Sequence, residues 1–383
     1  MKVLFDASSM ALSGYHRGGV YMYGLRLLQE LPAALSQDDQ LALYFNFFRG
    51  HHREGMKDFH QRSGVQESHL CRIPPQLLRK FSIPAEWSGT KHDVFHGPAD
   101  LLPAKSRGAR VVTIHDLAFL RAPEGLPEDW LAERAATVPA AARSADMVIT
   151  VSEFSRQDIV NMLNIPEERT AVVYHGISEG LVPVTDRDAA DARLKERYGI
   201  TPGFLLYLGT LQPNKNIEGL CEAYQLMRSR GFQPPLVLAG AKGWLFDEMW
   251  ARIVARGHDQ GVLRTGFVDQ EDIPLLYGRC SAFALVSFLE GFGIPVIEAM
   301  ACGAPVVAAD ACSLTEVTSD AGLLVDPHEP EAIAAALEKA ATPGRERSEL
   351  IRRGLAHAAT FTWQKTAEGH VEAYRKAMEV RGA

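Results

Sequence analysis

The chain has 383 residues, long for one hydrophobic core and suited to two domains of about 150 to 200 residues each. Its 46% hydrophobic and 23% charged content is that of a globular protein, and a net charge of −7 argues against nucleic acid as the main partner. No run of eighteen apolar residues reads as a membrane span, the N-terminus turns acidic at Asp6 too soon for a signal peptide, and five scattered cysteines without a C-x-x-C point to a reducing cytoplasm.

Short apolar runs alternate with longer helical segments, which predicts βαβ units and parallel sheets. Strands are predicted over 2–7, 41–47, 93–96, 110–114, 147–151 and 171–174, then over 204–208, 236–239, 263–266, 282–287, 305–309 and 322–325. Two such sets imply an α/β fold of two Rossmann-like domains. The polar stretch 180–202, with Pro183 and Pro202 around a charged helix at 186–198, places the boundary, giving domains 1–184 and 185–363. A final helical stretch carries Trp363, Ala367, Val371 and Tyr374 at roughly helical spacing.

Polar residues at strand ends mark the candidate chemistry. Gly18 and Gly19, after Arg17, precede a helix running to about Leu31, and glycines ahead of a helix start offer amides to a phosphate. His115 and Asp116 follow the strand 110–114 at its carboxyl end, where α/β enzymes place working groups, and Asp116 is expected to orient the His115 ring. Ser152 reads as a helix N-cap. The segment Gly209-Thr210-Leu211-Gln212-Pro213-Asn214-Lys215-Asn216 follows an apolar strand and opens a helix, where a fixed ammonium can stabilise charge developing on a leaving diphosphate.

The most informative stretch runs from Leu285 to Ala301 and reads as strand, turn and helix. Gly291 and Gly293 permit a sharp turn and close approach of another molecule, and Pro295 suits the first helical position. The helix start is an anion site, with Glu290 in the turn and Glu298 one turn into the helix. An anion site flanked by two hydroxyl-binding carboxylates suits a sugar nucleotide.

Glu290-Gly291-Phe292-Gly293-Ile294-Pro295, with Glu298 after seven intervening residues, resembles the signature of the retaining glycosyltransferases of family 4. Ala301-Cys302-Gly303-Ala304-Pro305 continues the likeness, which extends along most of the chain. The resemblance implies the GT-B architecture: two Rossmann-like domains facing each other across a cleft, with the last helix, about 364–383, packing back on the N-terminal domain. It implies retaining transfer of a hexose from a nucleotide sugar to a hydroxyl of a glycan or polyprenyl-linked saccharide, with no metal and no other cofactor. His115 then matches the histidine near the transferred sugar, Lys215 the diphosphate-binding lysine, and Gly18 and Gly19 the glycine-rich loop. Glu290 is expected on the sugar hydroxyls and Glu298 on the ribose, with amides around Gly291, Phe292, Gly293 and Ile294 meeting the diphosphate or sugar. Thr210 and Asn214 complete the donor set, although Asn214 stands where the family usually has arginine, one positive charge fewer. The motif wording is similar to mannosyltransferases of bacterial surface-polysaccharide assembly, so GDP-mannose is the expected donor.

Other readings stay open at this level. Two carboxylates suit a glycosidase, but Lys215 and the helix-end anion site favour a phosphate leaving group. An NAD-dependent oxidoreductase would need G-x-G-x-x-G, which neither Asp6-Ala7-Ser8 nor Gly209-Thr210-Leu211 supplies. A sugar-nucleotide epimerase or a non-catalytic homologue on the same fold is a further class. Asp186-Arg187-Asp188 has D-x-D spacing but lies on the charged helix, and His51, His52, His60 and His69 lack the spacing of a zinc site. Residues 49–91, from Arg49 to Lys91, hold eight Lys or Arg against four Asp or Glu, interleaved with Phe59, Leu77, Leu78, Phe81 and Trp87. That stretch is either a peripheral contact with an anionic membrane or lipid-diphosphate acceptor, or an ordinary loop region.

Overall fold

The chain carries two parallel sheets, each built from the short apolar runs that a strand buried on both faces requires. A computed structural model describes residues 1–12, 18–47, 52–73, 90–103, 105–124 and 126–382. Arg17, Arg49, Leu77, Leu78, Arg79, Lys80, Phe81 and Trp87 lie outside the described residues.

The first sheet has β1 (Lys2–Asp6), β2 (Gln40–Asn46), β3 (Glu67–Cys71), β4 (Val94–Gly97), β5 (Ala109–Ile114), β6 (Met147–Thr150) and β7 (Thr170–Val172), in the order β3-β2-β1-β4-β5-β6-β7. The second has β8 (Leu205–Leu208), β9 (Leu236–Ala239), β10 (Val262–Gly266), β11 (Ala282–Leu285), β12 (Val306–Ala309) and β13 (Leu323–Val325), in the order β10-β9-β8-β11-β12-β13. The strand order reverses between β1 and β4 and again between β8 and β11, the switch points where doubly wound sheets hold ligands at strand carboxyl ends. Strand β3 escaped sequence prediction. Its Glu-Ser-His-Leu-Cys is half-exposed, lies at a sheet edge, and so lacks the apolar run that betrays the inner strands.

Two compact units contain these sheets: Met1–Leu117, Asp129–Gly176 and Thr362–Ala383 in one, Ala118–Glu128 and Ile177–Phe361 in the other. The division falls between Gly176 and Ile177 rather than after Val184, because Val184 packs on the helix Ile273–Arg279, where a Cβ at Gly278 would lie 2.5 Å from Val184 Cγ2.

In the first unit the helix Gly19–Ala34 buries Tyr21, Leu25, Leu28 and Leu31 at helical spacing. Met10 approaches it so closely that a Cβ at Gly24 would lie 2.2 Å from the Met10 Cε. The last helix, Trp363–Gly382, buries Trp363, Ala367, Val371, Tyr374 and Ala377 in the same core. Phe59 is fully buried there, edge-on to Tyr21 at 5.6 Å, so of the two readings left open for the stretch 49–91 it fits the one in which the region contributes to the core.

In the second unit Asp186 caps the charged helix Arg187–Tyr198, accepting from the Ala189 amide at 3.0 Å, so the D-x-D spacing serves a helix start. That helix is tied down by Arg193 and Arg197, both paired with the fully buried Asp272. Among the described residues no helix is long and apolar enough to cross a membrane.

Candidate active site

In the C-terminal unit, the loops after β8 and β11 bring Lys215 and Glu290 together at the switch point. The Lys215 Nζ lies 2.7 Å from Glu290 Oε1, with the two side chains 19% and 13% exposed. Ser287 donates to the same Glu290 oxygen at 2.8 Å, and Ser313 donates to the Glu290 carbonyl at 2.8 Å. Asn216 welds the two loops. In the left-handed region at φ 55°, it caps the helix Ile217–Ser229 through the Gly219 amide, while its Nδ2 donates to the carbonyls of Val286 and Pro327.

Asn214 uses its carbonyl to accept from the Phe288 amide at 3.0 Å, and its buried Oδ1 has no hydrogen-bond partner among the described residues. Thr210 is exposed at the end of β8, its carbonyl accepting from Tyr207 at 2.9 Å. Burial, with the Glu290 charge nearby, holds the Tyr207 phenol well above its ordinary value. The β8 loop also packs tightly on the β9 loop: at Gly240 a Cβ would lie 1.9 Å from the Gly209 carbonyl oxygen.

Gly293 adopts φ 94° and caps the helix Ile294–Ala301, its carbonyl accepting from Val296. The helix starts at Ile294, which puts Pro295 one place later than expected, in the same first turn where its missing N–H costs nothing. Gly291 and Phe292 are buried in the turn before it. Glu298 sits partly buried in the next turn and accepts from the Tyr277 hydroxyl at 3.3 Å. Desolvation pushes its carboxyl up to about 7, against the smaller opposing effect of that hydrogen bond. An ammonium, a helix N-terminus and two carboxylates of different character thus share one strand-end surface, able to neutralise phosphate and sort hydroxyls.

The N-terminal unit holds the other predicted residues. Gly18 is the N-cap of Gly19–Ala34, and a Cβ at Gly19 would meet nothing within 4 Å, so packing does not demand glycine there. His115 follows β5, and its ring is held by the Pro98 carbonyl, 3.0 Å from Nε2, a partner other than Asp116, the residue expected to orient it. Its backbone carbonyl accepts from Ser155, the residue whose amide is capped by Ser152.

Behind His115 runs a buried polar chain that sequence reasoning missed. Thr366 O lies 2.7 Å from His370 Nδ1, His370 Nε2 lies 2.7 Å from the Tyr23 hydroxyl, and Tyr23 lies 2.8 Å from Thr113 Oγ1. Thr113 lies 2.8 Å from His96 Nε2, and His96 Nδ1 lies 2.7 Å from the Tyr374 hydroxyl. A carbonyl only accepts, so with neutral imidazoles one polarity satisfies every link: Tyr374 donates to His96, His96 to Thr113, Thr113 to Tyr23, Tyr23 to His370, and His370 to Thr366. Burial is what favours that neutral state. Burial holds His96 well below its ordinary value and His370 down to about 4. The available signal was a set of histidines and tyrosines inside otherwise apolar strands and helices, which spacing alone does not connect.

Among the described residues no group of three or more His, Cys, Asp or Glu side chains is arranged to hold a metal ion. The two halves of the sequence match two family descriptions: "Glycosyltransferase Family 4" over residues 17–180 and "Glycosyl transferases group 1" over 191–357. The chain is 37% identical to the O-antigen chain mannosyltransferase B of Escherichia coli, over 98% of this chain and all of that one. It is 31% identical to a D-inositol 3-phosphate glycosyltransferase of Nocardioides, over 84% of this chain and 78% of that one. Among solved structures, Anabaena HepE in complex with UDP and glucose superposes with a TM-score of 0.73 at 22% identity, covering 97% of this chain and 98% of that chain.

Proposed function

This chain belongs to the family 4 glycosyltransferases, an enzyme with the GT-B fold, and on that footing we propose that it moves mannose from GDP-mannose to a hydroxyl of a glycan or lipid-linked saccharide with retention of configuration. The observation that carries the reading is the Lys215–Glu290 pair at the β8/β11 switch point, beside a helix that starts after Gly293. Lys215 and the helix amides would hold the diphosphate, Glu290 the sugar hydroxyls, and Glu298 the ribose. These groups supply the positive charge that a leaving diphosphate requires, so the proposed reaction needs no metal and no further cofactor. His115 contacts the transferred sugar. The acceptor oxygen forms its bond to the anomeric carbon on the face from which the diphosphate leaves, the carbon–phosphate oxygen bond breaks, and a phosphate oxygen takes the acceptor's proton.

The choice of mannose is supported by the E. coli relative's name, at 37% identity over its full length. A thermal-shift screen against GDP-, UDP- and ADP-sugars, followed by diphosphate release and an NMR reading of the product's anomeric configuration, tests the proposal. Stabilisation by GDP-mannose and an α-linked product are expected. Stabilisation by NAD alone, or an inverted product, sinks it. A cytoplasmic setting is part of the proposal, supported by five cysteines that are odd in number, scattered and without a C-x-x-C. So is peripheral membrane contact through residues 49–91, supported by their basic excess. Charge reversal at Arg72, Arg79 and Lys80 should abolish binding to anionic liposomes at low salt, and no binding by the unaltered chain removes that contact.

A further inference from the structure

We propose that Tyr23 is a positioning residue for His115, holding that imidazole in place through the chain's last helix; this rests on the substrate role given to His115 above. Three groups fix the His115 ring. The Pro98 carbonyl accepts from Nε2 at 3.0 Å, Tyr23 stands edge-on with centroids 4.9 Å apart, and His175 lies nearly parallel at 5.9 Å. Because a carbonyl only accepts, Nε2 carries a proton, and in the neutral ring Nδ1 is the acceptor that a sugar hydroxyl can use.

Tyr23 is itself pinned at both ends. Its ring is 1% exposed and also stands edge-on to His175 at 5.2 Å. Its hydroxyl accepts from Thr113, two residues before His115 on β5, and donates to His370 of the helix Trp363–Gly382. A phenol needed only to fill space would be served by phenylalanine. This one spends both hydrogen-bonding capacities on the strand that delivers His115 and on the helix behind it. Reacting groups held within a fraction of an ångström react far faster than loosely held ones, so the support behind a substrate-facing imidazole has catalytic consequence.

The test measures GDP release from GDP-mannose with a mannose-terminated oligosaccharide for the unaltered enzyme, Tyr23→Phe, Tyr23→Leu, His115→Ala and the double variant His115→Ala/Tyr23→Phe. Tyr23→Phe is expected to lower kcat about tenfold and Tyr23→Leu about a hundredfold, with KM for the donor within about twofold. In the His115→Ala background Tyr23→Phe should add nothing, because its effect passes through the missing ring. Multiplied losses in the double variant, or an unchanged kcat in Tyr23→Leu, overturn the inference. Full activity in His115→Ala overturns instead the substrate role of His115. A second readout needs no turnover: ¹⁵N spectra should show one sharp His115 signal with the proton on Nε2, broadened or split in Tyr23→Leu. An unchanged signal in that variant overturns the inference as well.

Discussion

Lys215 Nζ and Glu290 Oε1 are 2.7 Å apart, and Ser287 donates to the same carboxylate oxygen. The pair joins the loops of two adjacent strands, β8 and β11, across the reversal of strand order. On the proposed reading, a diphosphate approaching Lys215 competes with Glu290 for the ammonium, and a hexose whose hydroxyls occupy Glu290 relieves that competition. On that reading the pair would make the donor's sugar and diphosphate favour each other's binding.

Removing the carboxylate charge should separate the two effects. Glu290→Gln is expected to bind GDP alone about three- to tenfold more tightly, the scale of one partly buried ion pair at protein-surface dielectric. The same variant should lose most transfer activity, and Lys215→Ala should weaken GDP binding. Calorimetric titration of GDP decides it: weaker GDP binding by Glu290→Gln contradicts the competition.

With Glu298 on the ribose as proposed, its carboxyl, pushed up to about 7 by burial, should make nucleotide binding pH-dependent. An ionised carboxylate accepts hydroxyl hydrogen bonds more strongly than a neutral one, so guanosine nucleotide affinity should rise as pH increases from 6 to 8, by about tenfold at most. Glu298→Gln should lose that part of the pH dependence while keeping the part due to the nucleotide's own phosphates. Parallel pH curves for the two proteins would exclude the role. For folding the sign is opposite: the unfolded carboxyl ionises near 4.5 and the folded one near 7, so this group's contribution to stability is lost as pH rises through that window.

Acid should loosen the N-terminal unit. His96 and His175 are held well below their ordinary value by burial, and His370 is held down to about 4. Unfolded imidazoles bind protons near 6.5, so the unfolded chain gains protons first and stability falls as pH drops below about 6.5, by about 1.4 kcal/mol per pH unit for each histidine. Hydrogen-exchange protection factors in β5 and the helix Trp363–Gly382 should fall between pH 7 and 5. Unchanged protection over that range contradicts the neutral chain.

Gly293 combines φ 94° with a neighbour, Leu314 Cδ2, that a Cβ would meet at 2.5 Å. Gly293→Ala should lose about 1–3 kcal/mol of stability and reduce donor binding, since strain and crowding act at the turn that aims the helix start. Thermal denaturation and nucleotide titration check both, and a variant of unaltered Tm and affinity refutes the assignment.

Twelve of the thirteen described strands were predicted, most of them by apolar runs, because a parallel strand covered on both faces has no polar side to show. The edge strand β3, with only Leu70 and Cys71 apolar, was missed. Lys215, Glu290 and Glu298 were legible because each stands at a strand or helix end with turn residues fixing its place. Asn216, Ser287, Ser313 and Tyr277, which hold those groups, were not, since side-chain hydrogen bonds between loops leave no periodic trace. The hold on the His115 ring was not legible for the same reason: it comes from the Pro98 carbonyl, 17 residues back along the chain.

Sequence by itself determined the two sets of alternating strands and helices, the glycine turn before Ile294, and the residue types gathered at strand ends. Those follow from local rules, burial periodicity and the φ that glycine tolerates. Only the tertiary structure decided that Lys215 pairs with Glu290, that Glu298 lies deep enough to hold its proton near neutrality, and that Tyr23 joins β5 to the last helix. Such facts depend on distance and on how much water is excluded, and both are set by packing between residues far apart along the chain.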